Sequence, residues 1–356
     1  MSAGMGEGAG MDDGAGMRMG ADSGADTGPH QDAEKGGAAG PHLGAGFRVG
    51  VGGGDGPGGR ADAELADAYA RARPRLVRLA YAVLGSYAEA EDVVSDSWLR
   101  LAAANAREPV EDVDAWATVS VARRAVDTLR SARVRRETYV GPWLPEPLLG
   151  SLPGPCGTPA ADPADRVTLD EAVSFALLVV LETLSPAERT AWVLHDLFGV
   201  EFPEVGRVVG RSTAAVRQLA ARARRHIAAG APRIEVDAHE HQAAVAAFAR
   251  AAAEGDLDAL TAVLDPEVTL TSDGGGLVSA ARHPVHGADR VARFLVGTAS
   301  RFGTGHRAAV TTVNGAPGLA VLDGDELIAV ISLTFAQDRV TRVDLVMTPL
   351  KLPRTS

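Results

Sequence analysis

The residues most capable of specific chemistry are arginines between Val205 and Arg233, where seven arginines occur without one acidic residue. The whole chain has a net charge of −11, so this cluster reverses the sign of the charge locally. From Thr213 to Ile227 apolar residues recur at helical spacing, and arginines occupy the other faces. Guanidinium groups bind phosphate oxygens through paired hydrogen bonds, so the expected partner is a polyanion.

A short predicted helix, Phe202 to Val209, precedes this arginine-rich helix, and Gly210 lies where a tight turn is needed. Two helices joined by such a turn are typical of a helix-turn-helix, whose second helix enters the major groove of DNA. An ordinary solvent-exposed arginine-rich helix is the alternative interpretation of the same residues.

A second basic helix is expected to begin after Asp114, which can serve as its N-cap. Its inward residues are Trp116, Val119, Val121, Ala122, Val126 and Leu129. Its outer face holds Arg123, Arg124, Arg130, Arg133, Arg135 and Arg136, with Asp127 as the one acid on that face. The helix dipole favours cations at a C-terminus, but six arginines exceed that need, which favours contact with nucleic acid.

Two further helices are expected before this one. In the first, Leu65, Ala68, Tyr69, Leu76, Leu79, Ala80 and Val83 form the apolar stripe, Pro74 breaks or restarts the helix, and Gly85 ends it. In the second, from Ala88 to Ala104, the buried side is formed by Ala90, Val93, Val94, Trp98, Leu99 and Leu101. Its acids, Glu89, Glu91, Asp92 and Asp96, either compensate the helix dipole or form a face that binds a basic partner.

The first 60 or so residues contain about half of the 41 glycines and almost no large apolar residues. Such a segment is expected to be disordered, because it buries too little surface to offset its chain entropy. It contains a GxGxxG match from Gly54 to Gly59, but a dinucleotide fingerprint needs a preceding strand and a βαβ unit, which the sequence lacks.

Several classes of protein are excluded by composition. Cys156 is the single cysteine, so the sequence has no disulfide and no CxxC-type zinc site. No apolar run reaches the length of a membrane span, and the N-terminus resembles no signal peptide. We therefore expect a cytoplasmic protein, with no membrane contact, no metal and no cofactor.

The last third of the chain changes character. Helices are expected at 241–254, 256–264 and 286–302, with strands at 268–271, 308–313, 319–322, 327–335 and 340–347. Helices followed by an antiparallel run of strands predict an α+β domain in which a sheet curls around helices.

Three segments of the N-terminal half carry a family resemblance: LVRLAYAVLG at 76–85, AEAEDVVSDSWLR at 88–100, and the helix with Ala115-Trp116 and ARRAVD at 122–127. They resemble conserved region 2 of bacterial sigma factors of the extracytoplasmic-function (ECF) type. The segment from LSPAER at 184–189, through Phe198-Gly199 and Ser212-Thr213, to RARR at 222–225 resembles region 4 of that family. The order and spacing of the blocks also fit.

The resemblance implies roles for individual residues. Region 2 of such proteins binds core RNA polymerase and captures the unwound −10 promoter element, and region 4 reads the −35 duplex. The implied polymerase-facing residues are Glu91, Asp92, Asp96 and Arg100. The implied −10 set is the loop Asn105–Val113 with Asp114, Trp116, Arg123, Arg124, Asp127 and Arg130. The implied −35 set is Arg217, Gln218 and Arg222 at base edges, with Arg211, Ser212, Thr213, Arg224 and Arg225 at phosphates.

Two motifs point to a subgroup of this family. Trp143, Leu144, Pro145, Glu146 and Pro147 form a WLPEP sequence within the Pro/Gly-rich linker, and Asp273, Gly274, Gly275 and Gly276 form a DGGG sequence in the last domain. Both resemble motifs of the ECF subgroup that carries a SnoaL-like cone domain, with Leu277 in place of the usual lysine. The resemblance implies that the two motifs act in interdomain regulation.

The domain organisation follows from these blocks. We expect a disordered extension at 1–61, region 2 at 62–138, a linker at 139–165, region 4 at 166–233 and the SnoaL-like domain at 237–352. The fold class is thus two all-α domains, the second a helix-turn-helix, followed by an α+β cone.

Catalysis and regulation are alternative uses of the cone. Related cones use Asp/His acid–base pairs, for which Asp273, His283 and His286 are the candidates, but no third orienting group accompanies them. His239, His241, His283 and His286 show no metal-ligand spacing. A built-in regulator, with a small ligand as a possible effector, is favoured over an enzyme. A helix-turn-helix regulator that senses a ligand and acts without polymerase is the alternative function.

Overall fold

The structure is a computed structural model that describes residues 57–150, 173–230, 238–302 and 305–353. Cys156 and the second half of the linker lie outside these residues. Of the N-terminal extension that was predicted to be disordered, the structure describes only residues 57–61, which belong to a helix that begins at Pro57. None of the described helices is long and apolar enough to cross a membrane.

The first three helices are α1 (Pro57–Leu84), α2 (Tyr87–Asn105) and α3 (Val113–Glu137). The expectation that Pro74 breaks α1 is wrong, because the helix is continuous through it. Burial of Tyr69 and Leu76 on either side offsets the backbone hydrogen bond that proline cannot make. The expected N-cap of α3 is also wrong. Asp112, rather than Asp114, accepts a hydrogen bond from the Ala115 N–H at 2.9 Å.

Four helices follow: α4 (Phe175–Glu182), α5 (Pro186–Trp192), α6 (Phe202–Val209) and α7 (Thr213–Gly230), with one π-helical turn at Val193–Leu197. The predicted helix-turn-helix is present as α6 and α7. Gly210 ends α6 with a left-handed φ of 71°, which glycine adopts without steric cost. Gly206 permits the close turn, because a Cβ there would lie 2.8 Å from the Arg211 carbonyl oxygen.

Helices α1–α3 and α4–α7 share one hydrophobic core. Leu79, Val83 and Val121 from the first group belong to the same buried cluster as Leu178 and Leu194 from the second. In addition, the guanidinium of Arg189 in α5 donates to the Ala82 carbonyl of α1 at 3.0 Å. The predicted regions 2 and 4 therefore pack directly on each other.

The C-terminal domain contains α8 (Ala238–Glu254), α9 (Leu257–Val263), β1 (Leu264–Asp273), β2 (Val285–His286), α10 (Ala288–Phe302), β3 (His306–Val313), β4 (Ala316–Asp323), β5 (Glu326–Ala336) and β6 (Arg339–Val346). The six strands form one sheet in the order β2-β1-β6-β5-β4-β3. β3 to β6 are antiparallel as expected, whereas β1 and β6 pair in parallel.

Both faces of this sheet are buried. Leu319, Ile331 and Leu345 point to the three helices of the domain and join the core that contains Phe248. Their neighbours Ala320, Val330 and Val346 point the other way, into a cluster with Leu144 of the linker and with Phe175 and Val179 of α4. Since side chains alternate along a strand, the sheet is a single wall between the cone interior and the helical part of the chain.

Candidate polymerase and promoter interfaces

Helix α2 presents a mixed face to solvent. Asp92, Ser95, Leu99 and Arg100 are exposed, and Asp96 is half-buried at their centre. The expectation that Leu99 is buried is wrong, since 66% of it is exposed. One exposed aliphatic side chain therefore lies among charged side chains on this face. Of the predicted polymerase-facing residues, Glu91 instead forms an ion pair with Arg73 of α1.

Helix α3 carries three of the predicted −10 residues on one face. Arg123, Asp127 and Arg130 are exposed and lie four and three positions apart, which brings them together on the helix surface. Asp127 and Arg130 form a pair at 3.7 Å, while no described acid pairs with Arg123. Arg124 turns instead toward α2, where its Nε lies 3.4 Å from the Asp96 carboxylate.

The loop between α2 and α3 is fixed by its own polar residues. The Asn105 amide oxygen accepts from the Val110 N–H at 2.9 Å, so this predicted −10 residue holds the loop closed. Asp114 pairs with Arg75 at 3.3 Å. Trp116 is half-buried against the core of the helical region, which leaves part of its ring available at the surface.

One strip of exposed residues runs along helix α7, and Arg222 and Arg224 are exposed beside it. Ala214, Gln218, Ala221 and Arg225 are exposed at spacings of four, three and four residues, with Arg217 beside them. The Ser212 hydroxyl accepts from the Ala215 N–H at 3.3 Å and caps the helix start. A capped helix start next to exposed Arg211 and half-exposed Thr213 offers both N–H groups and a cation to a phosphate.

Arg217 rests on an aromatic stack. Its guanidinium carbon lies 5.4 Å from the centre of the Phe202 ring, and that ring stacks on His195 at 3.6 Å. Two further predicted DNA contacts are already engaged by acids within region 4. Arg222 pairs with Glu188 at 2.8 Å, and Arg224 pairs with Asp196 at 2.5 Å. Hydrogen bonds from Ser185 and Arg222 lower the pKa of Glu188 and keep that carboxylate charged.

The WLPEP and DGGG motifs meet in space. Asp273 is fully buried, and its carboxylate accepts from the Leu144 N–H at 2.9 Å, the Tyr139 hydroxyl at 2.7 Å and the Lys351 ammonium at 2.6 Å. Gly275 follows with φ 61°, next to the Thr348 side chain, where any side chain would clash. The motif is therefore a glycine turn that presents one buried carboxylate to the linker.

Trp143 lies between two cations at this junction. The Lys351 ammonium is 3.9 Å and the Arg136 guanidinium carbon 3.3 Å from its ring centre, an arrangement that favours cation–π attraction. Burial lowers the pKa of Lys351 to about 8, although Asp273 opposes that shift. Burial and the hydrogen bond to Asp273 raise the pKa of Tyr139, so its hydroxyl remains a donor.

Arg136 also joins region 2 to region 4. It donates to the Leu84 carbonyl at 2.8 Å and pairs with Glu182 of α4, which pairs in turn with Arg189. Arg136 was expected on the outer, nucleic-acid face of α3. The structure corrects this, because its side chain is only 16% exposed and belongs to the interdomain junction.

Glu146 and Asn314 anchor the remaining part of the linker. The Glu146 carboxylate accepts from the Ser86 hydroxyl and the Tyr87 N–H at the start of α2, at 3.0 and 2.9 Å. Burial raises its pKa, and these hydrogen bonds oppose the rise. Asn314 of the cone donates to the Tyr81 hydroxyl of α1 and accepts from the Leu148 N–H. The linker thus binds both domains at once.

Among the junction residues, the motifs recognised in the sequence did not include Tyr139, Lys351 or Asn314, and Arg136 was assigned to the outer face of α3. A signal existed for one of them, because Lys351 is one of only two lysines in the chain. The partners of the others lie 134 residues away for Tyr139 and 233 for Asn314, which no local pattern reveals.

The residues considered for catalysis do not meet. Asp273 lies at the linker junction, whereas His283 and His286 are exposed, and His286 contacts Thr269 at 3.1 Å. His241 is buried against the ring of Phe335. In the part of the chain that the structure describes, no group of three His, Cys, Asp or Glu side chains is arranged to hold a metal ion.

Comparison with known proteins decides the family. The model of sigma-70 region 2 matches residues 68–135, and that of sigma-70 region 4 matches residues 174–227. The ECF RNA polymerase sigma factor SigJ of Mycobacterium tuberculosis (strain ATCC 25618 / H37Rv) is 42% identical over 254 residues, which is 71% of this chain and 77% of SigJ. This chain belongs to the ECF RNA polymerase sigma factors.

Two further comparisons support this ECF sigma factor assignment. The probable ECF sigma factor SigI of the same strain is 35% identical over 292 residues, covering 80% of this chain and 93% of SigI. The crystal structure of M. tuberculosis SigJ superimposes with a TM-score of 0.64 at 35% identity, over 80% of this chain and 97% of that one. The predicted fold class, with two helical regions and an α+β cone of the SnoaL-like type, is confirmed.

Membership fixes the general role of this ECF sigma factor. It is a non-enzymatic initiation factor that binds RNA polymerase and promoter DNA. A helix-turn-helix regulator that acts without polymerase is not favoured, because such a protein has no use for a sigma region 2.

Proposed function

We propose that three surfaces of this sigma factor divide the work of promoter-specific initiation. The exposed face of α2, with Asp92, Asp96, Leu99 and Arg100, docks on core RNA polymerase. The loop 105–113 and the α3 face with Arg123, Asp127 and Arg130 hold the unwound −10 element, where exposed arginines and a half-exposed tryptophan suit single-stranded bases. The outward strip of α7 reads the −35 duplex, with Arg217 and Gln218 at base edges.

Within region 4, the geometry ranks the predicted DNA contacts. Arg217, Gln218 and Arg225 have no acidic partner among the described residues, so they meet DNA without first breaking an ion pair. Arg222 and Arg224 must leave Glu188 and Asp196 to do so. We therefore assign base reading to Arg217 and Gln218, phosphate contact to Arg211, Ser212, Thr213 and Arg225, and a weaker phosphate role to Arg222 and Arg224.

The single observation that carries the regulatory part of the proposal is the shared core of regions 2 and 4. The names −10 and −35 place the two elements about 25 base pairs apart, or about 85 Å of duplex at about 3.4 Å per base pair. A compact body of this size is only about 50 Å across. The compact unit Gly53–Ser356 must therefore open before both regions engage one promoter.

The cone domain holds this closed state from the C-terminal side. Its outer sheet face buries Leu144, Phe175 and Val179, and its Asp273 binds the linker. Undocking the cone would expose an apolar surface and a buried carboxylate, so docking and opening oppose each other energetically. We propose that the cone regulates the sigma factor in cis, in the cytoplasm, and that a small molecule in the cone biases the balance.

Transcription in vitro with purified core polymerase tests the proposal. Genomic fragments serve as templates, and the 5′ ends of the transcripts are sequenced. Addition of the full-length protein should produce defined start sites that share upstream elements, and Gln218→Ala should weaken those starts. The matched exposed variant Gln242→Ala in α8, far from the DNA-binding helix in sequence, should leave them unchanged. Failure of the full-length protein to add any start site above core polymerase alone contradicts the proposed function.

A further inference from the structure

A cavity of about 520 Å³ lies inside the cone, between helices α8 and α10 and the inner face of the sheet. Its deep wall is apolar: Phe248, Leu295, Leu319, Ala329, Ile331 and Leu345 line it, and each is at most 9% exposed. Its volume lies within the range of small-molecule sites.

The polar groups of the cavity are confined to its rim. Glu254, Ser300 and Arg307 line it with exposed side chains, and the ring of His306 is within 3.5 Å of the Asp323 carboxylate. Arg307 and Glu254 carry opposite charges, so the rim has no net preference for an ion. None of the deep lining residues is ionisable, so a charged ligand would lose its hydration without a partner there.

We infer that the cavity binds an uncharged, largely apolar small molecule whose one polar group remains at the rim. In liquid water, about 17 molecules at about 30 Å³ each would occupy this volume. The cavity therefore suits a ligand with on the order of 15 non-hydrogen atoms. This inference gives a chemical class to the effector in the proposed function and rests on that function for its regulatory meaning.

The sheet connects the cavity to the sigma regions. Leu319, Ile331 and Leu345 face the ligand space, and the adjacent Ala320, Val330 and Val346 face the linker and α4. A ligand on the inner face is therefore one sheet thickness from Leu144 and Phe175. Filling the cavity stabilises the wall on which the linker packs, so the ligand binds the docked state more tightly than the open one.

Calorimetric titration of the full-length protein with 1-decanol and with decanoate tests the site. These probes share the apolar chain and differ in charge. We expect saturable one-to-one binding of 1-decanol and binding of decanoate weaker by at least about tenfold. Ala252→Phe, which fills the cavity from α8, should weaken 1-decanol binding at least tenfold. Ala243→Phe places the same side chain on the exposed part of the same helix and should bind 1-decanol as the wild type does.

Each alternative result overturns a stated part of the inference. Absence of saturable 1-decanol binding, or equal binding by Ala252→Phe, rules out the cavity as the site. Equal or tighter binding of decanoate rules out the uncharged class.

Saturating 1-decanol should also weaken core-polymerase binding by at least about threefold in the wild type and leave Ala252→Phe unaffected, since coupling is reciprocal. Unchanged or tighter polymerase binding overturns the proposed coupling. Initiation without 1-decanol tests the sigma function separately.

Discussion

The carboxylate of Asp273 accepts a hydrogen bond at 2.9 Å from the backbone N–H of Leu144, 129 residues earlier in the chain. This contact joins the glycine turn of the cone to the linker that separates the two sigma regions. The carboxylate is buried and also accepts hydrogen bonds from the Lys351 ammonium and the Tyr139 hydroxyl. The Asp273 carboxylate thus links the glycine turn of the cone, the linker and Lys351 near the C-terminus.

Asp273→Asn should loosen this junction. The amide keeps one acceptor oxygen but removes the charge opposite the buried Lys351 ammonium, and breaking a buried pair costs about 3–5 kcal/mol. Urea unfolding monitored by tryptophan fluorescence should show a lower free energy of unfolding, and binding to core polymerase should become tighter. Asp338→Asn, at an exposed turn, is the control. An Asp273→Asn protein with the stability and polymerase affinity of the wild type would refute the role of this carboxylate.

The lowered pKa of Lys351 predicts a pH dependence. Its pKa falls from 10.5 to about 8 on burial, so between those pH values the unfolded chain holds a proton that the folded chain has released. The free energy of unfolding should then rise with pH from about 8, by at most about 1.4 kcal/mol per pH unit. Urea unfolding at pH 7.5, 8.5 and 9.5 measures the slope.

Lys351→Met provides the comparison for this pH dependence. The thioether has similar length and no charge, so the variant should lose the rise in stability between pH 8 and 9.5 while being less stable throughout. Equal slopes in the two proteins would assign the pH dependence to other groups.

Removal of Asp196 should strengthen non-specific DNA binding. Asp196→Asn frees Arg224 from its ion pair, which adds up to one phosphate contact and steepens the slope of log affinity against log salt by up to about 0.9. Glu201→Gln removes the same charge from an exposed residue of region 4 and should leave the slope unchanged. Fluorescence anisotropy with a duplex at several salt concentrations measures both. Identical slopes for Asp196→Asn and Glu201→Gln would show that Arg224 does not reach DNA.

Base reading and phosphate contact should separate within α7. Gln218→Ala should cost about 1–3 kcal/mol on the preferred −35 sequence and relax the preference at one base pair. Arg225→Ala should weaken all sequences alike and reduce the salt slope by about 1. Binding of holoenzyme to a library of −35 variants distinguishes these patterns, and a uniform loss for Gln218→Ala would remove it from the base-reading set.

Leu99 should contribute to polymerase binding. Its side chain is 66% exposed within the charged face of α2, so Leu99→Ala should reduce affinity for core polymerase by about tenfold without changing the free energy of unfolding. Val134→Ala changes a side chain of α3 that is 65% exposed and is the matched control. Equal affinities for both variants and the wild type would exclude the α2 face as the docking surface.

Much of the fold could be predicted from sequence because its helices are amphipathic and its turns use diagnostic glycines. The helix-turn-helix at α6 and α7 follows from apolar periodicity and from Gly210. The four C-terminal strands follow from alternation of side chains. The exposure of Leu99 and the continuity of α1 through Pro74 could not be predicted. Both depend on which neighbours pack beside α1 and α2 rather than on the local sequence pattern.

The candidate sites were predictable only in part. The sequence identified Arg222, Arg224 and Arg136 as cations but not their acidic partners, which lie 34, 28 and 46 residues away. The WLPEP and DGGG motifs pointed to an interdomain function, whereas their contact through Asp273 and Leu144 depends on tertiary packing. Local residue types therefore define the candidates, and long-range pairing decides which of them remain free for a partner.

We propose that the free protein is closed and that it opens when it forms a promoter-bound holoenzyme. Dyes attached at Asp67→Cys in α1 and Ala229→Cys in α7, both exposed, in a Cys156→Ser background, report the distance between regions 2 and 4 by energy transfer. We expect high energy transfer in the free protein and a large loss of transfer in a holoenzyme that initiates at its promoter. High transfer maintained in the transcribing complex would contradict this proposal.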